Sequence, residues 1–493
     1  MRSLCYGKCS LWLIAFDRFR WVYCQLDAIR QCFPSSIRRI LNELPTTLDE
    51  TYERALEGIP KQKRQYAHRL FQCLVAAIRP LRAEELAEIF AIEFDQGGTA
   101  NLMEGWRPEN PEEAILSACS TLIAVIDDKE GSQIVQFSHF SVKEFLTSDR
   151  LDTSEDVNLR HYHVSLDSAH YILAQACLTI LLRLDERIDK KRLATFPLAL
   201  YAAQHWFVHA TYEGVAPRVQ DAMEQLFNPS EPYLAAWVWI HDVDPEWFEF
   251  RKLINRLGLA DHPPPPRATA LYYAVSCGLC GPAKYLISTH GEDVNAECGY
   301  QGSPLHAASR NGHLDAMTLL LDSGANVNTT NEHERTPLCT AYSGRHLEAM
   351  RLLLEREAVA DVPYDLIGSL VHRASFDGQA EVLRLLLQHG ADINGAEKPH
   401  YLTPLHWACY QEHLDVAQIL LEHGAEINAA SSEGTSLYYA SRIGRLEIVR
   451  LLLEHGADVH IRVPGRKTPL EEATDLGYIQ IAQLLLEYGA DKE

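Results

Sequence analysis

The last 225 or so residues of this chain repeat, and the period constrains the fold more than any other property of the sequence. A segment of the form Thr/Ser-Pro-Leu-His-x-Ala, or a close variant, begins at Thr269, Ser303, Thr336, Ser369, Thr403, Thr435 and Thr468. Successive starts lie 34, 33, 33, 34, 32 and 33 residues apart. A second landmark, Gly-Ala-Asp-Val-Asn in its fullest form, keeps step at Gly291, Gly324, Glu357, Gly390, Gly424, Gly456 and Gly489. Apolar triplets such as Leu319-Leu320-Leu321 and Leu451-Leu452-Leu453 usually precede it. Two landmarks in phase predict a linear stack of like units, each of which shelters the apolar side of the next.

Every position in the unit has a local reason. The Thr or Ser hydroxyl caps a free amide at a helix start, and proline after it stands where no intrahelical N–H is needed. Leu and Ala then make a thin apolar first helix that a Gly such as Gly312 or Gly444 ends. The Leu triplet marks a second, amphipathic helix, and Gly390 or Gly424 supplies the left-handed residue that closes it. The third copy departs from the pattern, with Glu357 for the glycine and Asp361 for the asparagine, which predicts a distorted turn around Arg356 to Ile367.

Period and wording together resemble the ankyrin family over residues 269–493. That resemblance implies a binding groove made by the hairpin tips and the exposed side of the first helices, with a protein ligand as partner. Aromatic and arginine side chains are the usual anchors of such contacts. The tips offer Tyr300, Tyr364 and Tyr401; the position before the repeat's Ala offers Tyr273, Arg373, Trp407 and Tyr439; one turn on stand Arg310, Tyr410 and Arg442. These ten are the candidate partner-binding residues. Tyr273 and Tyr439 have a competing assignment, which is simply to cover neighbouring repeats.

Ahead of the repeats, Pro263-Pro264-Pro265-Pro266 excludes helix and reads as a short stiff spacer. Residues from Tyr162 to Trp239 carry apolar positions at helical spacing, and Trp206, Trp237, Trp239 and Trp247 read as core. Helical pattern also runs from Leu70 to Ile92, with a new start after Pro80. Two β-like runs follow, Leu122 to Ile126 and Gln133 to Phe137, around the turn Asp127-Asp-Lys-Glu-Gly131. Helices followed by a hairpin predict a winged-helix-like module.

Three phrases sharpen this: Phe19-Arg-Trp-Val-Tyr-Cys-Gln-Leu-Asp27, Leu44-Pro-Thr-Thr-Leu-Asp-Glu-Thr-Tyr52 and Gln136-Phe-Ser-His-Phe-Ser-Val-Lys-Glu-Phe-Leu146. They resemble the region after the NTPase core in fungal NACHT-type signalling ATPases, relatives of the animal NOD-like receptors, over residues 18–258. The resemblance implies a helical remnant at 18–62, a winged-helix-like module at 63–150, a helical arm at 151–260, a proline-rich linker at 261–268 and seven ankyrin repeats at 269–493, with 1–17 unassigned. The fold class is then mainly α. The family's engine is missing, because no Gly-x4-Gly-Lys-Ser/Thr phosphate loop occurs, and Gly465-Arg-Lys-Thr468 has an arginine between glycine and lysine. Residues 1–17 resemble nothing in that family, which suits a shortened gene product or a gene model that starts late.

Charge excludes more. Lys and Arg number 45 against 67 Asp and Glu, a poor balance for neutralising phosphates, and Lys61 to Arg82 is the only dense basic stretch, so nucleic acid is not expected as a partner. No apolar run reaches the roughly 18 residues of a membrane span, and Leu11 to Phe16 is short even for a signal core. The 12 cysteines are scattered, as suits a reducing compartment; a soluble intracellular protein, cytoplasmic in location, is the expectation. Cys5-x3-Cys9 and Cys277-x2-Cys280 lack a second pair at zinc spacing. His205-x3-His209 has Trp206 where a zinc protease carries glutamate, His161 and His163 fall on different helical faces, and His306, His372 and His406 serve ankyrin turns. The expected protein is therefore no enzyme, with no cofactor and no metal: an interaction scaffold, the sensing part of a NACHT/ankyrin receptor. Two alternatives stand beside it: part of a nucleotide-dependent switch whose ATPase lies upstream, and a DNA-binding winged helix with an ankyrin tail.

Overall fold

The computed structural model describes residues 47–94, 100–129, 131–243, 262–365, 368–396 and 400–491. The expectations placed on Leu11 to Phe16, the phrase Phe19 to Asp27, Cys5, Cys9 and Trp247 lie outside the described residues. The chain forms two compact units, Met1–Pro266 with Lys284–Leu286, and Arg267–Ala283 with Ile287–Glu493.

In the first unit, helix α1 (Leu48–Glu57) starts where the Thr47 hydroxyl accepts the Glu50 amide at 3.2 Å, with Asp49 and Glu50 favourably placed in the first turn. It buries Tyr52 and Leu56. Helix α2 (Arg64–Ala76), strand β1 (Leu81–Arg82) and helix α3 (Ala83–Phe90) follow. A small hairpin, β2 (Ile92–Phe94) with β3 (Ala100–Leu102), leads to helix α4 (Pro111–Cys119), and strands β4 (Ile123–Asp127) and β5 (Gln133–Phe137) close the module. Its antiparallel sheet has the order β1-β5-β4, with Val135 paired to Leu81 on one side and Val125 on the other. This is the winged-helix arrangement expected from the two β-like runs. Strand β1 and the β2–β3 hairpin escaped the sequence reading, since two or three residues are too few to show an alternation.

Beyond the module, helix α5 (Phe140–Leu146) leads to α6 (Leu166–Leu181), α7 (Ala199–Ala210), α8 (Gln220–Phe227) and α9 (Tyr233–Ile240). Trp206 and Trp237 meet edge to face at 5.5 Å with Phe227 beside both, and the Trp237 indole donates to the Ala203 carbonyl at 2.9 Å. With Trp239 they are buried, as their sequence context predicts. His262 lies 3.3 Å from the Ile188 carbonyl, and Pro263, Pro265 and Pro266 line one wall of a cleft of about 560 Å³ opposite Asn228, Pro229 and Leu234.

The second unit is a run of helix pairs: α10 (Ala270–Ser276) and α11 (Cys280–Tyr285), α12 (Pro304–Asn311) and α13 (Leu314–Asp322), α14 (Pro337–Gly344) and α15 (Leu347–Glu355), α16 (Leu370–Asp377) and α17 (Ala380–Gln388), α18 (Pro404–Gln411) and α19 (Leu414–Glu422), α20 (Ser436–Arg442) and α21 (Leu446–Glu454), α22 (Pro469–Asp475) and α23 (Ile479–Glu487). First helices begin at the capping Thr or Ser residues of the repeat, as at Thr336, whose hydroxyl accepts the Cys339 amide. Three kinds of tie then join successive repeats. Imidazoles of His306, His372 and His406 reach the carbonyls of Arg335, Gly395 and Gly434 at 2.9, 2.9 and 3.2 Å. Glycines 312 and 378, at φ 72°, lie so close to the rings of His346 and His413 that an added Cβ would come within 2.6 Å. On the hairpins, the carboxamide oxygens of Asn295, Asn328, Asn394 and Asn428 accept amides one repeat along, from Asn326, Val359, Glu426 and Asp458, at 2.7 to 2.9 Å.

In repeat three the stretch expected to be distorted begins regularly, and only its later part is irregular. Glu357 adopts the left-handed conformation of the glycine it replaces (φ 68°), and the Ala358 amide bonds the Leu353 carbonyl at 3.0 Å just as Ala325 bonds Leu320 at 2.9 Å. The helix end is therefore regular, because the helix-closing hydrogen bond outweighs the cost of one strained side chain. Irregularity comes later, where strand β6 (Pro363–Asp365) pairs with β7 (Gly368–Ser369) across a register shift. Among the described residues no hydrogen bond takes the asparagine's part at Asp361.

Candidate functional site

First helices and hairpins of repeats three to six carry an unbroken line of ring and charge contacts. It begins at Arg335, whose guanidinium lies 5.3 Å from the Tyr364 ring centre. Tyr364 meets Tyr342 edge to face at 5.2 Å, and its hydroxyl sits 2.8 Å from the Ser343 hydroxyl. Tyr342 donates to Asp377 at 2.8 Å, and Arg373 donates to the same carboxylate oxygen at 2.9 Å while lying 5.2 Å over Phe376. Phe376 touches Trp407 at 5.3 Å, Trp407 touches Tyr410 at 6.2 Å, and Tyr410 touches Tyr439 at 6.4 Å. Arg442, paired to Glu433 at 3.3 Å, stands at the far end.

The geometry follows from the repeat. First helices pack side by side at every junction but that between repeats three and four, where the long side chains of Tyr342 and Asp377 bridge the gap, and residues three apart on one helix share a face. Trp407 and Tyr410 have that i, i+3 relation, as do Arg373 and Phe376.

The ten candidates fare unequally. Tyr401 (51% exposed), Tyr410 (45%) and Tyr300 (41%) are open, Arg442 is exposed, and Tyr364, Arg373, Trp407 and Arg310 are half-buried. Tyr273 and Tyr439 are buried at 3% and 8%, so they cover neighbouring repeats, the competing assignment given to them above. The line joins Tyr364, Arg373, Trp407, Tyr410, Tyr439 and Arg442, whereas Tyr300 lies 5.4 Å from the ring of His333. Tyr401 has φ 57°, a conformation costly for a bulky side chain, and holds its ring outward at a hairpin tip. The Trp407 indole N–H is buried and has no acceptor among the described residues.

Sequence reading missed Arg335, Tyr342, Phe376 and Asp377. Phe376 was findable, since it holds in repeat four the place that Tyr410 holds in repeat five. Burial pushes the Tyr342 phenol upward, and the adjoining Asp377 carboxylate adds to the rise, so it remains a donor at any ordinary pH.

Other clusters are structural. His209, with no exposed surface, lies 2.9 Å from His170 and 2.9 Å from the Tyr201 hydroxyl; burial, then His170 and His205, lower its pKa to about 3. Burial likewise lowers His306 and His406 to about 4. Cys277 is buried, and burial raises the half-buried Cys280 thiol. Among the described residues no three His, Cys, Asp or Glu side chains are grouped to hold a metal, and no helix is long and apolar enough to cross a membrane. In the winged helix, α4 opens with Glu112 and Glu113. The basic stretch is spent internally: Lys63 on the Ser117 carbonyl, Arg64 on Asn158, and Arg79 on Glu85 at 2.6 and 2.9 Å.

The family described as ankyrin repeats (3 copies) matches residues 250–331, 305–397, 371–463 and 430–493. The family described as GPI inositol-deacylase, winged helix domain, matches residues 34–158. A curated relative, azaphilone pigments biosynthesis cluster protein L of Monascus ruber, is 27% identical over 301 residues, which are 57% of this chain; the chain spans 60% of that relative's length. Among solved structures, the human ASB11 ankyrin repeat domain is 30% identical, with 45% of this chain and 99% of that one covered and a TM-score of 0.38. The ankyrin repeat domain of Bcl-3 is 29% identical, with 39% and 89% covered and a TM-score of 0.37. The chain thus carries a winged helix domain of the GPI inositol-deacylase type followed by a carboxy-terminal array of ankyrin repeats.

Proposed function

We propose that this chain is a protein-interaction scaffold, the ligand-sensing carboxy-terminal part of a fungal NACHT/ankyrin signalling receptor, with no catalytic residue of its own. The contact line from Arg335 to Arg442 carries the interaction reading, because four adjacent first helices align aromatic and arginine anchors along one strip. The receptor setting draws on the order of parts, a winged helix ahead of helices and repeats, together with the phrases at Leu44 to Tyr52 and Gln136 to Leu146. The test is capture of a partner from fungal extract by the full chain and by the Tyr401→Ala/Trp407→Ala variant. A lost partner with unchanged thermal unfolding supports the strip, and undiminished capture refutes it.

A second reading makes the chain part of a nucleotide-driven switch whose phosphate-loop ATPase lies upstream. It is favoured by the winged helix standing where an NTPase core precedes it in the family it resembles. Sequencing the 5′ end of the transcript tests it: an in-frame phosphate loop supports this reading, and a stop codon shortly upstream ends it. DNA binding by the winged helix is disfavoured by Glu112 and Glu113 at the start of α4, where a groove-reading helix meets phosphates. A mobility shift at low salt that vanishes at higher salt would reverse that judgement.

A further inference from the structure

The rings along the aromatic line differ in one respect. Tyr364 and Phe376 each have one of the chain's own guanidinium groups against them, Arg335 at 5.3 Å and Arg373 at 5.2 Å. Trp407 and Tyr410 have none among the described residues, although indole is the strongest cation-binding ring and Tyr410 is 45% exposed. We propose that the Trp407–Tyr410 pair seats an arginine or lysine side chain of an extended basic peptide lying along this strip, an inference that rests on the array being a protein-binding surface.

Charge decides between a basic and an acidic occupant. Four of the array's cations beside the strip are already paired: Arg373 to Asp377, Arg442 and Arg466 to Glu433, and Arg445 to Glu412. An acidic peptide would have to break those pairs. Residues 267–493 hold 17 Lys and Arg against 30 Asp and Glu, so the field around the array draws cations and repels anions. Asp377, beside Phe376, and Glu433, beside Tyr439, are themselves already paired, so the attraction of a cation to the strip comes from its rings and from the array's overall negative charge. A guanidinium seated over a ring is what Arg373 already displays on Phe376 within the chain, and the partner's side chain would repeat it on Trp407 one repeat on.

The experiment uses the full chain and three fluorescein-labelled Gly/Ser peptides of equal length, differing only in carrying Arg, Asn or Glu at every third position. Fluorescence polarisation is expected to show binding of the Arg peptide alone, and Trp407→Ala is expected to weaken it by about 2- to 30-fold, the range of one cation–π contact. Trp407→Leu, which keeps apolar volume against Phe376, is expected to weaken it equally, and thermal unfolding of both variants guards against misfolding as the cause. Equal affinity of the Arg peptide for wild type and Trp407→Leu overturns the proposal, as does failure of the Arg peptide to bind. If the Asn or Glu peptide binds as tightly and depends on Trp407, the cationic preference falls while the protein-binding reading stands.

Discussion

The phenol of Tyr342 donates a 2.8 Å hydrogen bond to the Asp377 carboxylate of the next repeat. Arg373 shares the same oxygen, so one buried donor and one half-buried cation converge on a single acceptor. Removing the phenol hydroxyl with Tyr342→Phe takes away a charge-assisted bond while leaving the ring in place. A loss of about 1 to 2 kcal/mol in urea unfolding is expected. An unchanged midpoint would mean the two repeats are joined by apolar contact alone.

Two substitutions at equivalent helix ends should act in opposite directions. Gly378 and Glu412 both adopt left-handed conformation, at φ 72° and 64°. Gly378→Ala brings a Cβ to 2.6 Å from the His413 ring and adds backbone strain, so a loss of about 2 kcal/mol is expected. Glu412→Gly relieves that strain and gives up only an exposed pair with Arg445, so a gain of about 0.5 to 1 kcal/mol is expected. Thermal melts of the two variants check both signs, and a destabilised Glu412→Gly would contradict the strain argument.

Mild acid should destabilise the protein through its buried histidines. His68, His306 and His406 have folded pKa values lowered to about 4, with burial the largest cause in each, against an ordinary value of 6.5. Below 6.5 the unfolded chain binds protons that the folded chain refuses, so stability falls as pH drops from about 6.5 towards 4. Each such histidine costs on the order of 2 kcal/mol by pH 5. Urea titrations at pH 7 and pH 5 measure this, and His406→Gln should flatten the dependence if the ring is responsible.

In the winged helix, Glu88 is 1% exposed and accepts the Leu198 amide at 2.7 Å while pairing with Arg107. Burial raises its pKa, with the amide and Arg107 opposing the rise. Arg107→Ala leaves that carboxylate without its cation and is expected to cost about 2 to 4 kcal/mol, more than Glu88→Gln. Equal unfolding midpoints for the two variants would show that leaving the buried carboxylate without its cation carries no extra cost.

How far the molecule was legible from its residues depends on scale. Capping residues, proline at helix starts and positive-φ glycines act within a few residues, so the helix pairs were readable from Thr269 onward. The hairpin of Gln133 to Phe137 was readable for the same reason. Strand β1 was not, because a two-residue strand exists only through its partner Val135. The binding strip was half readable. Side-chain type identified Trp407 and Tyr410, but whether a tyrosine before the repeat's Ala faces solvent depends on the adjacent repeat, which buries Tyr273 and Tyr439. Asp377 carried no signal at all, since its role exists only once Tyr342 and Arg373 are brought to it.

The asparagine ties described on the hairpins stop at Asp361 and resume at Asn394. Among the described residues they are missing again at His460 in repeat six, and a spring yields where its coils are uncoupled. Under load or thermal agitation the seam between its third and fourth members, which the Tyr342–Asp377 bond holds in place of an asparagine tie, should yield once that bond breaks, and the spacing between Tyr364 and Trp407 would change with it.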